Sequence, residues 1–415
     1  MTRFRMSRWL IAAALATLTA VGPASAGAFA NPSRPVCPGP VAAGNARCFA
    51  HVITDAHGTP RATATSPTGY GPAQFHGAYG LPASTTASSG QTIAIVDAYD
   101  DPTVVSDLNY YSCYYRLADC PTGTKTTSTG AFFKKVNQSG SASGPWPAKN
   151  AGWALEIAMD VETAHVICQD CKVLLVEANS SSGADLDAAE DTAVRLGATE
   201  ISNSWGTNGE YSSEAAENAA HFDHPGIAIT VASGDSGYGS FGFPAASPNV
   251  VAVGGTHLSV TRNTDGTYSW ADETGWGSSG SGCSLVFGAQ SWQTSASGWS
   301  ATGCDPARGV ADVAADADPN TGAAVYDTTR YQGRTGWFQV GGTSLSSPLV
   351  AAVYALAGNA SSVSYPASIP YANTGSLHDV TSGPATGSCG TTICAPAAGY
   401  DGPTGVGSPN GLGGF

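Results

Sequence analysis

Short apolar runs rich in β-branched residues alternate with helical stretches along this chain, and that alternation most restricts its fold. Thr92–Asp97, Lys172–Glu177, Glu200–Trp205, Ile227–Ala232 and Val250–Gly254 read as buried strands. Helical patterning occupies roughly 149–167, 183–197, 212–224 and 344–358. Strands apolar on both faces need cover on both faces, and helical connections supply it when the strands run parallel. The expected class is α/β: three layers, a central parallel sheet with helices on both faces. Chemistry in such sheets gathers at the carboxyl ends of the strands, where Asp97, Trp205 and Asp235 fall. The Gly/Ser-rich stretch 265–305 reads as surface loops and short strands, and no internal repeat is visible.

The first 26 residues stand apart. Arg3, Arg5 and Arg8, an apolar run from Trp9 to Val21, and the small residues Ala24-Ser25-Ala26 have the layout of a secretory signal peptide. Residues 27–69, rich in Pro, Gly, Ala, Ser and Thr, read as a short leader or loosely structured N-terminal arm. Ten cysteines in an exported chain imply disulfides. They fall as near neighbours, Cys37/Cys48, Cys113/Cys120, Cys168/Cys171, Cys283/Cys304 and Cys389/Cys394, and local loop staples are the simplest pairing. For Cys168-x-x-Cys171 a staple is favoured over half a zinc site, because no second ligand pair completes one. A formal net charge of −14 with few basic residues excludes a phosphate-binding face, so no nucleic-acid partner is expected. No later stretch is apolar for long enough to span a bilayer, and the mature chain is expected to be secreted and free of the membrane.

Gly342-Thr343-Ser344-Leu345-Ser346-Ser347-Pro348 places a serine at the start of an apolar helix. A hydroxyl there stands at a sharp turn, and the helix N-terminus favours the anionic states of acyl transfer. A serine before a helix is more often only a cap, but the whole Gly-Thr-Ser-x-x-x-Pro context favours a nucleophile. Subtilisin-like and sedolisin-like peptidases share that context, so it leaves the base open. A subtilisin base would be a histidine on the helix after the Asp97 strand. His57-Gly58-Thr59 has the letters but precedes that strand and is followed by Pro60.

The helix after Asp97 carries Glu156 and Asp160 instead, whose i, i+4 spacing puts both carboxylates on one face. A solvated acidic face is the ordinary reading of such a pair. Trp153, Leu155, Ile157 and Val161 around it argue for a helix packed on most sides. Ser233-Gly234-Asp235-Ser236-Gly237 follows a strand end, where the acid braces a tight turn or meets a substrate.

These three ordered motifs, the Glu-x-x-x-Asp helix, the Ser-Gly-Asp-Ser-Gly turn and the Gly-Gly-Thr-Ser helix, resemble the sedolisin family of serine-carboxyl peptidases over about Tyr70 to Phe415. The resemblance implies a subtilisin-like fold, with Ser344 as nucleophile, Glu156 as general base, Asp160 as its supporting carboxyl and Asp235 as oxyanion-hole donor. Asp97 and Trp205 match positions that extend the hydrogen-bond network in some members. A carboxylate base sharing its proton, and a donor that works only while protonated, both imply acid-active catalysis. His378-Asp379-Val380 and Ala397-Ala398-Gly399-Tyr400-Asp401 resemble the family's calcium site. The side chains of Asp379 and Asp401 and the carbonyls of Val380, Ala397 and Gly399 would hold one Ca²⁺, an oxygen-only set suited to a hard cation.

The expected activity is serine-type endopeptidase action on protein or peptide substrates, by a monomer. Typical members carry a prodomain of well over a hundred residues, whereas about 43 separate the signal segment from Tyr70 here. The rival reading is a catalytically silent exported binding protein on the same fold.

Overall fold

The computed structural model describes residues 1, 31–39, 41–123 and 132–415. The signal segment expected over residues 1–26 lies, Met1 aside, outside them, as do residues 27–30. Asn31–Phe415 forms one compact unit.

Its centre is an eight-stranded sheet, ordered Tyr268–Gly275, Val251–Arg262, Ala228–Ala232, Glu200–Asn203, Thr92–Ala98, Lys172–Ala178 and Phe133–Asn137, with Val313–Asp316 also beside Val251–Arg262. Every pairing is parallel except that of Tyr268–Gly275. Ile93, Ile95, Val176, Ile201, Val231 and Val253 are fully buried or nearly so, as the continuous apolar runs require. The helices Ala151–Ile167 and Thr343–Ala357 pack on each other and on the sheet, and Gly183–Arg195 also packs on its strands.

The stretch 265–305, read as surface loops and short strands, departs from that reading only in the length of two strands, Tyr268–Gly275 and Gly282–Gly288. Tyr268–Gly275 is an eight-residue edge strand. It is exposed at Ala271 and Asp272 and buried at Glu273 and Gly275.

The arm also departs from a loosely structured leader. Ser33–Pro35 and His51–Ile53 join a second sheet with Arg334–Gly341 and Ala323–Tyr331, while Arg47–Cys48 pairs with Trp205–Gly206. All five near-neighbour cysteine pairs are disulfides. Cys168 and Cys171 are bonded to each other, so their proximity to Asp170 makes no metal site. Among the described residues, no helix is long and apolar enough to cross a membrane.

Candidate active site

The Ala151–Ile167 helix begins at Asn150, whose side chain accepts from Gly152 N at 3.0 Å and Trp153 N at 3.3 Å. Every residue from Trp153 to Ile167 is buried, so no solvated face exists for Glu156 and Asp160. None of their four carboxyl oxygens has a hydrogen-bond partner among the described residues.

Burial first, then the neighbouring carboxyls of Asp160 and Asp97, push Glu156 well above the usual carboxylate range. Burial does the same to Asp160, and burial with Asp160 and Glu177 to Asp97. Ser344 acts on Glu156, and Ser204 on Asp160, in the opposite sense. Each hydroxyl is therefore within influence of its carboxyl, although neither pair reaches hydrogen-bond geometry. Asp97, Glu156 and Asp160 form one buried cluster that can share protons but cannot hold three negative charges.

The Thr343–Ala357 helix starts behind Gly342, whose φ of 108° only glycine adopts without strain. Pro348 explains the far end of the motif. It has no N–H to give to the carbonyl four residues earlier, which belongs to Ser344. That carbonyl accepts from Ser204 Oγ at 3.1 Å instead. Ser344 Oγ in turn donates to Ser204 O at 3.0 Å. Ser204, which sequence reasoning passed over within the Glu200–Trp205 run, thus braces the helix turn of Ser344 from the sheet.

Asp235 sits opposite. Its Oδ1 accepts from Thr343 N at 2.9 Å and Thr343 Oγ1 at 2.7 Å, while its Oδ2 is buried with no hydrogen-bond partner among the described residues. Burial raises its pKa to about 7. A proton on Asp235 therefore belongs on Oδ2, the oxygen free to donate.

Trp205 does not join the carboxyl network in the way the resemblance implied. Its indole Nε1 donates to Val96 O at 2.8 Å, locking one strand to the next. His51 does approach, with Nε2 3.8 Å from Asp235 Oδ2, although no sequence signal marked it. Burial, with Arg47 adding to it, lowers its pKa to about 4.

With this geometry in view, comparisons with known proteins become decisive. The model of the subtilase family matches residues 135–370. The chain belongs to the subtilase family. Among curated relatives, this subtilase is 31% identical over 378 residues to kumamolisin of Bacillus sp. (strain MN-32), covering 85% of this chain and 64% of that protein. It is 28% identical over 380 residues to sedolisin of Pseudomonas sp. (strain 101), covering 82% and 60%. The chain thus spans less than two thirds of the length of these relatives. Among solved structures, Pseudomonas sedolisin, a serine-carboxyl proteinase complexed with two molecules of pseudo-iodotyrostatin, superposes with a TM-score of 0.61 at 25% identity, covering 83% of this chain and 96% of that one. Together these support a sedolisin-family, subtilisin-like protein with an α/β fold.

The C-terminal residues expected to hold a metal also come together. Asp379 accepts from Gly399 N at 3.0 Å. Asp401, fully buried, accepts from Ala397 N at 2.8 Å and from Thr404 N and Oγ1 at 2.9 Å. Thr404 Oγ1 also reaches Val380 O at 3.5 Å. Burial raises Asp401 to about 8, and Asp379 pushes the same way. No Lys or Arg pairs with either aspartate among the described residues.

Proposed function

We propose that this chain is a secreted serine-carboxyl endopeptidase that works in acid and cuts peptide bonds through an acyl-enzyme on Ser344. The observation carrying this reading is the buried Asp97–Glu156–Asp160 cluster beside the Ser344 hydroxyl, which provides a proton acceptor without an imidazole. One ionised carboxyl shared over the cluster suffices to take the Ser344 proton, so Glu156 acts as base while Asp160 and Asp97 keep the remaining protons. Asp235 Oδ2 supplies the hydrogen bond to the developing oxyanion, which requires it to be protonated. Its value of about 7 puts the loss of that donor at neutral pH.

One Ca²⁺ belongs to the same reading. Asp379 and Asp401, with the carbonyls of Val380, Ala397 and Gly399, make an all-oxygen donor set with two acids and no basic side chain to balance them. The ion would neutralise Asp401 and tie the C-terminal loops together, with no part in the bond-breaking step.

The test is digestion of a peptide library by purified protein from pH 3 to pH 8. An acidic optimum with loss towards neutrality is expected. An optimum at or above pH 8 would overturn the carboxyl mechanism.

A further inference from the structure

A cavity of about 710 Å³ lies beside the strand that braces Ser344, and its charge is one-sided. Trp205–Gly206 runs on into a loop that gives one wall Glu210 and Tyr211. The opening turns of Gly183–Arg195 give a second wall, with Gly183, Ala184 and Asp187, and Glu217 comes from the helix Glu214–His221. Three acids thus line it, and among the described residues no Lys, Arg or His does. Two of the three have partners within the protein. Glu210 accepts from Leu285 N at 2.7 Å and from Ser284 Oγ, and Glu217 accepts from Tyr211 Oη at 2.7 Å.

Asp187 has none. It is 9% exposed, yet among the described residues no hydrogen bond or ion pair reaches its carboxyl. Burial and then Glu217 raise its pKa to about 7, with His221 acting against them and Asp191 with them. That imidazole is already engaged, its Nδ1 3.0 Å from Asp191 Oδ1. A buried carboxyl with no donor is costly until a cation or a proton answers it. A bare metal ion is the wrong cation. It needs several oxygen ligands around one point, and among the described residues no three acid or histidine ligand atoms gather here within 4.8 Å of one another. A cavity of this size instead admits a long side chain with a charged end.

An extended chain has a track to this cavity, and the arm lies on it. Asn45 bridges to Ser182, Arg47 and Cys48 pair antiparallel with Gly206 and Trp205, and Phe49 N donates to Ser344 Oγ at 3.0 Å. Residues Val41 to Asn45 border the cavity, so a chain on this track passes it four or more residues before the one seated at Ser344. The arm presents only Val, Ala, Ala, Gly and Asn there and brings no charge to Asp187. Main-chain bonds along such an edge hold any extended peptide, and pockets beside it choose among side chains. We propose that Asp187, with Glu217, forms a subsite that selects a lysine or arginine four or five residues on the amino-terminal side of the one seated at Ser344. The inference rests on the peptidase reading above. A cation there replaces the proton on Asp187, so the preference is full towards neutral pH and weakens as pH falls. The groups facing Asp187 are Glu190 and Asp191 of its own helix, Glu217 and His221 of Glu214–His221, and Tyr211 of the loop. Among the described residues the arm and the strands beneath add none.

The experiment digests a peptide library with the purified full chain, then measures kcat/KM for two fluorogenic peptides that differ only in Arg or Gln at the position the library selects. Enrichment of Lys and Arg is expected four or five residues before the residue whose carbonyl is attacked. The Arg peptide should be favoured about tenfold at pH 6, through KM, and less at pH 4. Asp187→Asn should bring that ratio to about one without lowering the melting temperature, because its carboxyl has no bond to lose. Cleavage without the enrichment, a ratio that Asp187→Asn leaves intact, or a variant that loses both peptides alike overturns this inference and leaves the peptidase reading standing. No cleavage of any peptide from pH 3 to pH 8 overturns both.

Discussion

Two fully buried pairs in this molecule share a four-residue spacing and have opposite chemistry. Arg308 Nη2 meets Asp312 Oδ2 at 2.6 Å, and that carboxylate also accepts from Ala252 N at 2.8 Å and from Tyr371 Oη at 2.9 Å. Among the described residues, Glu156 and Asp160 have no cation and no hydrogen-bond partner for any carboxyl oxygen. The first pair is a structural joint whose charges answer each other in place, with only Arg308 Nε left without a hydrogen-bond partner among the described residues. The second pair is left unanswered, and a buried carboxyl without partners is relieved by holding a proton. Stability and the proposed catalysis thus use the same residue type, separated by what surrounds it.

Breaking the unanswered pair should have the largest effect. Glu156→Gln is expected to cut peptide turnover by about 10²–10⁴-fold at every pH, the range of a lost general base. Its folding should change little, because the amide keeps the shape; steady-state kinetics with thermal melting checks both. Breaking the answered pair should do the reverse. Arg308→Met leaves Asp312 buried and charged without its cation, a loss of about 3–5 kcal/mol in denaturant unfolding, with turnover per folded molecule unchanged.

Asp401 sharpens the contrast as a third case, a buried carboxylate proposed to be answered by an ion. Chelator should lower the melting temperature, by an amount corresponding to about 2.7 kcal/mol if calcium was present at a hundred times its dissociation constant. Asp401→Ala should remove that sensitivity, and a melt indifferent to chelator would refute the site.

The smallest effect concerns the other buried acids. Glu190 and Glu200 are each raised to about 8 by burial. The folded state therefore binds protons more tightly than the unfolded one, and stability is full below the ordinary carboxylate range and falls as pH rises through about 8. Melting temperature should decline from pH 4 towards pH 8, and Glu190→Gln should flatten that slope slightly.

Much of this was legible along the chain because the signals were local. The β-branched runs became the parallel strands, and the helix at 149–167 appears as Ala151–Ile167. Trp153, Leu155, Ile157 and Val161 correctly signalled that Glu156 sits on no solvated face. What stayed hidden depends on distant approach. Phe49 meets Ser344 across 295 positions, and nothing in Cys48-Phe49-Ala50 announces a strand, since its partners are backbone atoms of Ser204 and Trp205. The indole of Trp205 misled for the converse reason: its position at a strand end was right, and its direction was set by a neighbouring strand's carbonyl.

The five disulfides span 3 to 21 positions, none joining distant parts of the chain. A cross-link restrains the unfolded chain in proportion to the logarithm of the loop it closes, about 3 kcal/mol for fifteen residues and less for the shorter loops here. Their main work is therefore local. They limit how far a surface loop can straighten, and a loop that cannot straighten cannot enter another molecule's cleft. If the chain cuts peptides as proposed, the bridges would set how long each copy survives its neighbours in a concentrated population.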